Sequence, residues 1–412
     1  MQLPVCHHFH VESENMPVHT PAPVSTVSRR AFLGAGLSAF LLPAGAVAGG
    51  LASPASDLED FIRNEMRTAK IPGLAVGFAR DGVVQFAQGY GMANIGWRKA
   101  VTANTMFHIA SITKTLTASM IMRLVERGKL ALDEPIAGYL DFPVANPRFR
   151  DTAITFRQLL LHTSSISDAR YYEIDFRQHG HDADLSLADF LKQYLTPAGG
   201  NYSDATCFST ARPGAAWGYS NVGYALLGYL AGRIGKLDMR EQTRRDIFAP
   251  LAMGHTSWTI KDTPESLSAE AYDLVDGALV AVKPVGFPDW PSGMLRSSIS
   301  DFMKFIAASA NGGKSGGISV LGGDAMAQML DMQAPAGLPT WLNGQGLGWM
   351  ASTLGGQTRP NHWGGDPGVF TAAYLAPATR SGVAIFTNVS ASAENRIAVK
   401  NIASRLLQSA SS

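Results

Sequence analysis

Cysteine is almost absent from this sequence of 412 residues. Only Cys6 and Cys207 occur, with neither a C-x-x-C pair nor a zinc-spaced set of Cys and His. Cys6 lies in a segment that we expect to be removed, so the mature protein would hold one thiol and no internal disulfide. The count therefore excludes a disulfide scaffold and a cysteine-based zinc site.

Charge is also scarce. Charged residues make up 16% of the chain, the formal net charge is +1, and there is no run rich in Lys and Arg. This balance gives no reason to expect nucleic acid or an anionic membrane surface as a partner. The 46% of hydrophobic residues is enough for a packed core, and the length suits one large domain or two moderate ones.

The apolar run near the N-terminus is short. It covers residues 33–42, whereas a membrane-spanning helix needs about 20 apolar residues. The run follows a twin-arginine pattern, SRRAFL at residues 28–33, and precedes a small-residue A-x-A sequence at residues 46–48. These features predict that residues 1–48 are a twin-arginine signal peptide with an N-terminal extension.

We therefore expect a protein exported to the periplasm or the medium, cleaved near Ala48. No cysteine stands directly after that point, so no lipid anchor and no stable membrane attachment are expected. The alternative is a chance arginine pair before an apolar stretch. Translation starts at Met1 or at Met16, and Met16 would give a signal of ordinary length.

Secondary-structure patterns in the mature chain change twice. A capping box at residues 56–59, SDLE, predicts a first helix, and Asp81-Gly82 between two apolar runs predicts a hairpin. Between residues 129 and 290, strand-like alternation is scarce and helical patterns occur. The last part predicts a helix over 295–308, strands over 347–354, 360–362, 369–376 and 383–388, and a closing helix over 394–407.

These patterns predict an α+β fold in which an antiparallel sheet is flanked by helices. We expect residues 56–128 and 291–410 to form an α/β sandwich domain. Residues 129–290 would form a mostly helical second domain inserted into it, with the active site between the two.

The segment FHIASITK at residues 107–114 places a hydroxyl and an amine three residues apart. Apolar residues after it recur at helical spacing and Gly128 supplies a stop, so Ser111 and Lys114 should face the same way on a helix. A serine needs a base to become a nucleophile, and a lysine serves as that base only when its pKa is lowered. S-x-x-K is a short pattern, so a chance occurrence is the alternative.

Two further segments can supply a second base and an oxyanion site. Tyr219 and Asn221 lie at a loop–helix junction, where a phenol with a lowered pKa can pass protons and an amide can hold a substrate. Residues 362–365, HWGG, end a strand pattern whose small residues would let a substrate lie along the strand edge. The alternatives are a helix cap with a packed tyrosine, and an ordinary hairpin.

Taken in order and spacing, these three segments resemble the serine β-lactamase and penicillin-binding protein family. The nearest branch is that of the class C β-lactamases and their esterase and D-peptidase relatives, and the likeness runs from about residue 56 to residue 407. Connecting segments such as LLLHTS at 159–164 and GML at 293–295 also resemble this branch.

The resemblance implies a role for each residue. Ser111 would be the acylated nucleophile, Lys114 its base, and Tyr219 the group that shuttles the proton and activates the deacylating water. Asn221 would position the substrate. The backbone N–H groups of Ser111 and Gly365 would form the oxyanion hole.

One departure from the family pattern affects the substrate. His362, Trp363 and Gly364 stand where the family has K-T-G, whose first two residues help to hold a carboxylate. A histidine that is mostly neutral near pH 7 and a bulky indole should bind a carboxylate less well. H-x-G and W-G-G variants resemble the esterase side of the family, so we expect carboxylic ester hydrolysis.

Two other patterns are weak. Residues 313–317, GKSGG, match G-x-S-x-G, but Ser315 lies in a glycine-rich loop without the strand–turn–helix context of a nucleophile elbow. His179, His181 and Asp182 are an imaginable metal set, but such groups in a polar loop are more often solvated. We expect no metal and no organic cofactor.

The sequence therefore predicts a serine hydrolase acting through an acyl-enzyme on a small-molecule ester or peptide. An esterase is favoured, followed by a D-amino-acid peptidase or DD-carboxypeptidase, and then a β-lactamase. A catalytically silent binder of cell-wall peptide is the alternative from another class. The sequence does not determine the oligomeric state.

Overall fold

The computed structural model describes residues 56–409, so the predicted signal over residues 1–48 lies outside the described residues. In the described part the helices are α1 Ser56–Thr68, α2 Thr113–Glu126, α3 Phe156–Leu160, α4 Ala169–Glu173, α5 Leu187–Leu195, α6 Asn221–Gly235, α7 Met239–Thr243, α8 Ile299–Ala310, α9 Gly323–Met329 and α10 Ala393–Ser409. Short 3₁₀ turns cover Ala110–Ile112, Ile136–Tyr139, Trp290–Ser292 and Pro377–Thr379, and a π-helical turn covers Arg244–Phe248.

The strands of the same part are β1 Gly73–Arg80, β2 Val83–Asn94, β3 Lys99–Ala100, β4 Met106–His108, β5 Gln178–His179, β6 Thr256–Ser257, β7 Ala271–Val275, β8 Ala278–Val282, β9 Val285–Gly286, β10 Arg296–Ser298, β11 Lys314–Ser315, β12 Ile318–Ser319, β13 Gly344–Gln345, β14 Met350–Leu354, β15 Gln357–Asp366, β16 Val369–Ala376 and β17 Ser381–Thr387.

Eight of these strands form one antiparallel sheet in the order β13-β14-β15-β16-β17-β1-β2-β3. Because side chains alternate across a strand, the sheet has two apolar faces. Leu74 and Val76 of β1 pack with α1 and α10 on one face, whereas Ala75 and Ala79 pack with α8 on the other. This arrangement confirms the predicted α+β fold with an antiparallel sheet flanked by helices.

The predicted hairpin at Asp81-Gly82 is present between β1 and β2. Both residues have positive φ angles, 53° and 74°, which the tight turn requires and which Asp and Gly tolerate. The same dipeptide recurs at Asp276-Gly277, with φ angles of 49° and 82°, and joins β7 to β8. We predicted few strands there, so this second hairpin is a correction.

Residues 129–290 hold five of the helices, α3 to α7, together with five short strands, β5 to β9. Their apolar residues join those of α2 and α8 in one continuous core. The proposed boundaries of the two domains stay a prediction. No helix within residues 56–409 combines the length and apolarity needed to cross a bilayer.

Candidate active site

Ser111 lies in a tight turn between β4 and α2. The turn Ala110–Ile112 is 3₁₀-helical, and α2 follows directly at Thr113. Ala110 has a φ of +46°, a left-handed conformation that costs energy for a residue with a Cβ. Ile109 donates its N–H to the Leu295 carbonyl at 3.0 Å, which ties the turn to the strand region before α8. The surrounding structure thus holds Ser111 at the start of a long buried helix.

Lys114 is fully buried one turn after Ser111. Its Nζ lies 3.3 Å from Ser111 Oγ, 2.7 Å from Asn221 Oδ1 and 2.7 Å from the carbonyl oxygen of Ser292. Burial lowers the pKa of Lys114 from 10.5 to about 7, although nearby Asp168 and Asp289 oppose the shift. A large fraction of the amine is therefore neutral near pH 7 and able to accept a proton.

Tyr219 faces the same pair. Its ring centre is 4.8 Å from Lys114 Nζ and 4.4 Å from the ring centre of His162. Burial raises the pKa of Tyr219 well above its usual value, and its interaction with the Ser111 hydroxyl opposes that rise. The phenol is therefore neutral, whereas the sequence reasoning invoked a phenol with a lowered pKa. A neutral phenol relays protons between two partners and does not start as a phenolate base.

A buried carboxylate that the sequence reasoning missed organises the second segment. Asp168 accepts hydrogen bonds from the backbone N–H of Asn221 at 2.6 Å and of Val222 at 3.2 Å, and from Ser220 Oγ at 2.9 Å. The carboxylate thus closes the N-terminus of α6, where Ser220 is also the N-cap. Burial raises the pKa of Asp168 to about 6 despite these donors. No local pattern marks a carboxylate about 50 residues from the helix that it caps.

Asp289 is a second buried carboxylate beside Lys114. It accepts hydrogen bonds from Tyr171 Oη at 2.8 Å and Ser292 Oγ at 2.6 Å. Burial raises its pKa, and the charge of Lys114 opposes this rise. Since the Ser292 carbonyl also receives Lys114 Nζ, Asp289 orders the segment that holds the lysine.

Strand β15 brings the third predicted segment to the serine through His362 and Gly364. A Cβ added to Gly364 would lie 2.3 Å from the Ile109 carbonyl oxygen, 2.4 Å from Thr371 Oγ1 and 3.1 Å from Ala110 Cβ. Only glycine lets the strand approach the serine turn this closely. His362 is buried on the same face, and burial, assisted by the charge of Lys114, lowers its pKa to about 3.

Trp363 points to the opposite face of the sheet. Its Nε1 donates to Tyr374 Oη at 2.7 Å. The centre of its ring lies 5.6 Å from the ring centre of Trp341 and 5.8 Å from Lys400 Nζ. This face carries α1 and α10. The side chain of Trp363 is therefore not brought together with Ser111, Lys114, Tyr219 and Asn221.

The strand edge that the sequence reasoning expected does occur. The pairing of β15 with β14 ends at Asn361, whereas its pairing with β16 continues to Asp366. Residues 362–366 thus have a sheet neighbour on one side only within the described sheet. Gly365 lies in this stretch, directly after the glycine that contacts the serine turn.

The other histidine and serine patterns have structural partners. His162 Nδ1 accepts the N–H of Ser220 at 3.1 Å, so it supports the Tyr219 segment. Ser315 Oγ donates to the Gly82 carbonyl in a small surface hairpin. In residues 56–409, no group of three or more His, Cys, Asp or Glu could hold a metal ion. The carboxylate of Asp182 instead accepts the N–H groups of Ile260 and Lys261.

The antiparallel sheet, the flanking helices and the Ser111–Lys114 pair define a serine hydrolase fold of the β-lactamase and penicillin-binding protein type. The chain belongs to the beta-lactamase family, whose model matches residues 25–406.

Relatives by sequence include penicillin-binding protein 4 of Amycolatopsis lactamdurans, 27% identical over 331 residues, which are 77% of this chain and 81% of that protein. Protein flp of Staphylococcus aureus strain MRSA252 is 25% identical over 260 residues, 62% of this chain. The matched part is 48% of that protein, or about half of its length.

Solved structures share the fold at low identity. D-amino acid amidase from Ochrobactrum anthropi SV3, complexed with L-phenylalanine amide, superposes with a TM-score of 0.69 at 22% identity, covering 87% of this chain and all of that one. A class C beta-lactamase gives a TM-score of 0.65 at 19% identity, with 86% and 96% coverage. These likenesses concern the fold.

Proposed function

We propose that this protein is an exported serine hydrolase that cleaves carboxylic esters through an acyl-enzyme on Ser111. The observation that carries the proposal is the buried Lys114 amine, 3.3 Å from Ser111 Oγ, with its pKa lowered to about 7. A serine beside a lysine of this kind has the base that it needs for attack on a carbonyl.

In the acylation step, Lys114 Nζ takes the proton of Ser111 while Oγ forms a bond to the substrate carbonyl carbon. The negative charge that develops on the carbonyl oxygen would be held by the backbone N–H groups of Ser111 and Gly365. Breaking of the ester bond releases the alcohol, which receives a proton through Tyr219. Asn221, whose Oδ1 already binds Lys114, would orient the lysine and the substrate.

In the deacylation step, a water molecule would attack the acyl carbon from the side of Tyr219. The water loses its proton to the Tyr219–Lys114 pair, and Ser111 regains one as the acid leaves. The neutral phenol suits this relay, because it donates one proton while it accepts another. Asp168 holds the segment that carries Tyr219 and is therefore a positioning residue.

The charges around the serine support esters over substrates that carry a carboxylate. His362, in the place of the family lysine, is neutral because burial lowers its pKa to about 3. Asp168 and Asp289 lie close enough to Lys114 to influence its pKa. A substrate carboxylate would meet no fixed cation from residue 362, and these two buried acids add no positive charge to the site, which disfavours β-lactams and D-Ala-D-Ala ends.

A D-amino-acid peptidase or amidase is the second candidate, supported by the fold shared with the D-amino acid amidase. A β-lactamase is the third. A catalytically silent binder of cell-wall peptide is disfavoured by the Ser111–Lys114–Tyr219 geometry, since binding alone requires no lysine with a lowered pKa. Export through a twin-arginine signal, without a membrane anchor, remains part of the proposal.

The test compares hydrolysis of a short-chain p-nitrophenyl ester with that of a chromogenic cephalosporin. Ser111→Ala should abolish ester turnover, whereas the matched control Ser315→Ala should retain it, since Ser315 lies in a surface hairpin. Rapid ester and negligible cephalosporin hydrolysis support the esterase. Rapid cephalosporin hydrolysis would instead favour a β-lactamase, and turnover that persists in Ser111→Ala would refute the acyl-enzyme.

A further inference from the structure

Asp366 ends β15 on the same face as Gly364 and His362. The pairing of β15 with β16 has no register shift over these residues, so the two-residue period holds. Asp366 therefore lies one pleat repeat, about 7 Å, beyond the glycine that contacts the serine turn. The His108 ring lies beside the Asp366 carboxylate, and His108 comes two residues before the turn Ala110–Ile112 that carries Ser111. Asp366 is therefore on the side of the sheet that faces this turn.

The Asp366 carboxylate has no hydrogen-bond donor among the described residues, although its side chain is only 17% exposed. The nearest titratable nitrogen is Nδ1 of His108, at 3.9 Å. His108 donates through Nε2 to the Gly293 carbonyl at 2.7 Å, and burial lowers its pKa to about 3. The imidazole is thus neutral and supplies no counter-charge.

Other charged groups face Asp366 from greater distances. Arg296 directs its guanidinium to the carbonyls of Met294 and Val285, and Arg177 is paired with Asp175. The carboxylate of Asp289 acts in the opposite sense to these two arginines and raises the pKa of Asp366. Burial is the largest cause that raises the pKa of Asp366 to about 7. A buried carboxyl group in this condition lacks a cation within contact distance, and such groups are costly unless they are paired.

We propose that Asp366 receives a positively charged nitrogen of the substrate acyl group, so that the preferred substrates are esters or amides of acids with a free amino group near the carbonyl. This inference rests on the proposed function, because it needs the acyl group on Ser111. A bound ammonium group supplies the missing partner of Asp366 and favours its ionised form. His108 and His362 are neutral, and the guanidinium groups of Arg296 and Arg177 are bound to other acceptors, so the substrate ammonium group would be the partner of Asp366 at contact distance.

The test uses two benzyl esters of nearly equal shape: the alanine ester, as each enantiomer, and the isobutyric ester, in which a methyl group replaces the ammonium. The full chain should hydrolyse one alanine enantiomer with a kcat/KM at least about tenfold higher than that of the isobutyric ester, since a hydrogen bond to a charged group is worth about that much or more. Asp366→Asn should lower kcat/KM for the alanine ester about 10- to 100-fold and leave the isobutyric ester within about threefold. The control Asp175→Asn, at a more exposed carboxylate, should preserve the preference.

Equal losses on both esters in Asp366→Asn, or a wild-type preference for the isobutyric ester, would overturn the inference. If Asp366→Asn does not fold, the wild-type protein decides the question through inhibition of p-nitrophenyl ester hydrolysis. Alaninamide should then inhibit at least about tenfold more strongly than isobutyramide, and equal inhibition would refute the role of Asp366. Ester hydrolysis that depends on Ser111 but shows no amine preference refutes this inference alone, whereas hydrolysis that survives in Ser111→Ala refutes the proposed function.

Discussion

Replacing Lys114 with methionine removes the buried amine and keeps an unbranched side chain of similar volume. In the folded protein the amine loses its proton near pH 7, whereas in the unfolded chain it holds the proton until about pH 10.5. Between these values the unfolded state binds one more proton than the folded state. The free energy of unfolding of the wild type therefore rises with pH by about 1.4 kcal/mol per pH unit, a contribution that the methionine variant lacks.

The magnitude follows from that interval. From pH 7 to pH 9 the stability difference between the two proteins should shift by about 2 kcal/mol in favour of the wild type, because the amine is already half deprotonated in the folded protein at pH 7, and over the whole interval by about 5 kcal/mol. Below pH 7 the amine is protonated in both states, so its own contribution to the difference becomes constant. Urea unfolding followed by tryptophan fluorescence at pH 6, 7, 8 and 9 measures this slope directly. Parallel pH dependences of the two proteins would show that the pKa of Lys114 is not lowered.

Activity gives a second readout of the same group. If Lys114 is the base, kcat/KM for a neutral ester should fall as pH drops below about 7, because the protonated amine cannot accept the serine proton. The methionine variant should lose about 10²- to 10⁴-fold in kcat/KM while remaining folded. A folded variant with wild-type activity would rule out Lys114 as the base.

Three further substitutions separate the roles of neighbouring residues. Tyr219→Phe keeps the ring that packs on His162 and removes the hydroxyl, so kcat should fall about 10²-fold or more with little change in Tm; unchanged kcat would contradict the relay. Gly364→Ala forces a Cβ to within 2.3 Å of the Ile109 carbonyl oxygen, so kcat/KM should fall about 100-fold. Full activity in this variant would show that strand β15 need not contact the turn that carries Ser111. Trp363→Phe removes the hydrogen bond to Tyr374 on the far face of the sheet, so the free energy of unfolding in urea should fall by about 1 kcal/mol. kcat/KM should stay within about threefold, and a large activity loss would place the indole in contact with the substrate.

Local patterns were sufficient to predict most strands of the large sheet. They also predicted that Ser111 and Lys114 lie one helical turn apart. The Asp81-Gly82 turn, the strand over residues 369–376 and the helix after Ser111 follow from turn chemistry and periodicity, which act over a few residues. The opposite directions of His362 and Trp363 also follow from the period of two, although the sequence reasoning assigned both to the substrate. The missed hairpin at Asp276-Gly277 carried a turn signal as clear as the first.

By itself, the sequence determined which chemistry was available: a serine and a lysine one helical turn apart, a tyrosine at a helix start, and a glycine strand without the family lysine. Only the tertiary structure decided the state of these groups. The pKa of Lys114, the neutral phenol of Tyr219 and the convergence of Asp168, Asp289 and Asp366 all depend on burial by segments far apart in the chain. Burial sets the cost of charge, and no local pattern encodes which distant segments will exclude water from a given side chain.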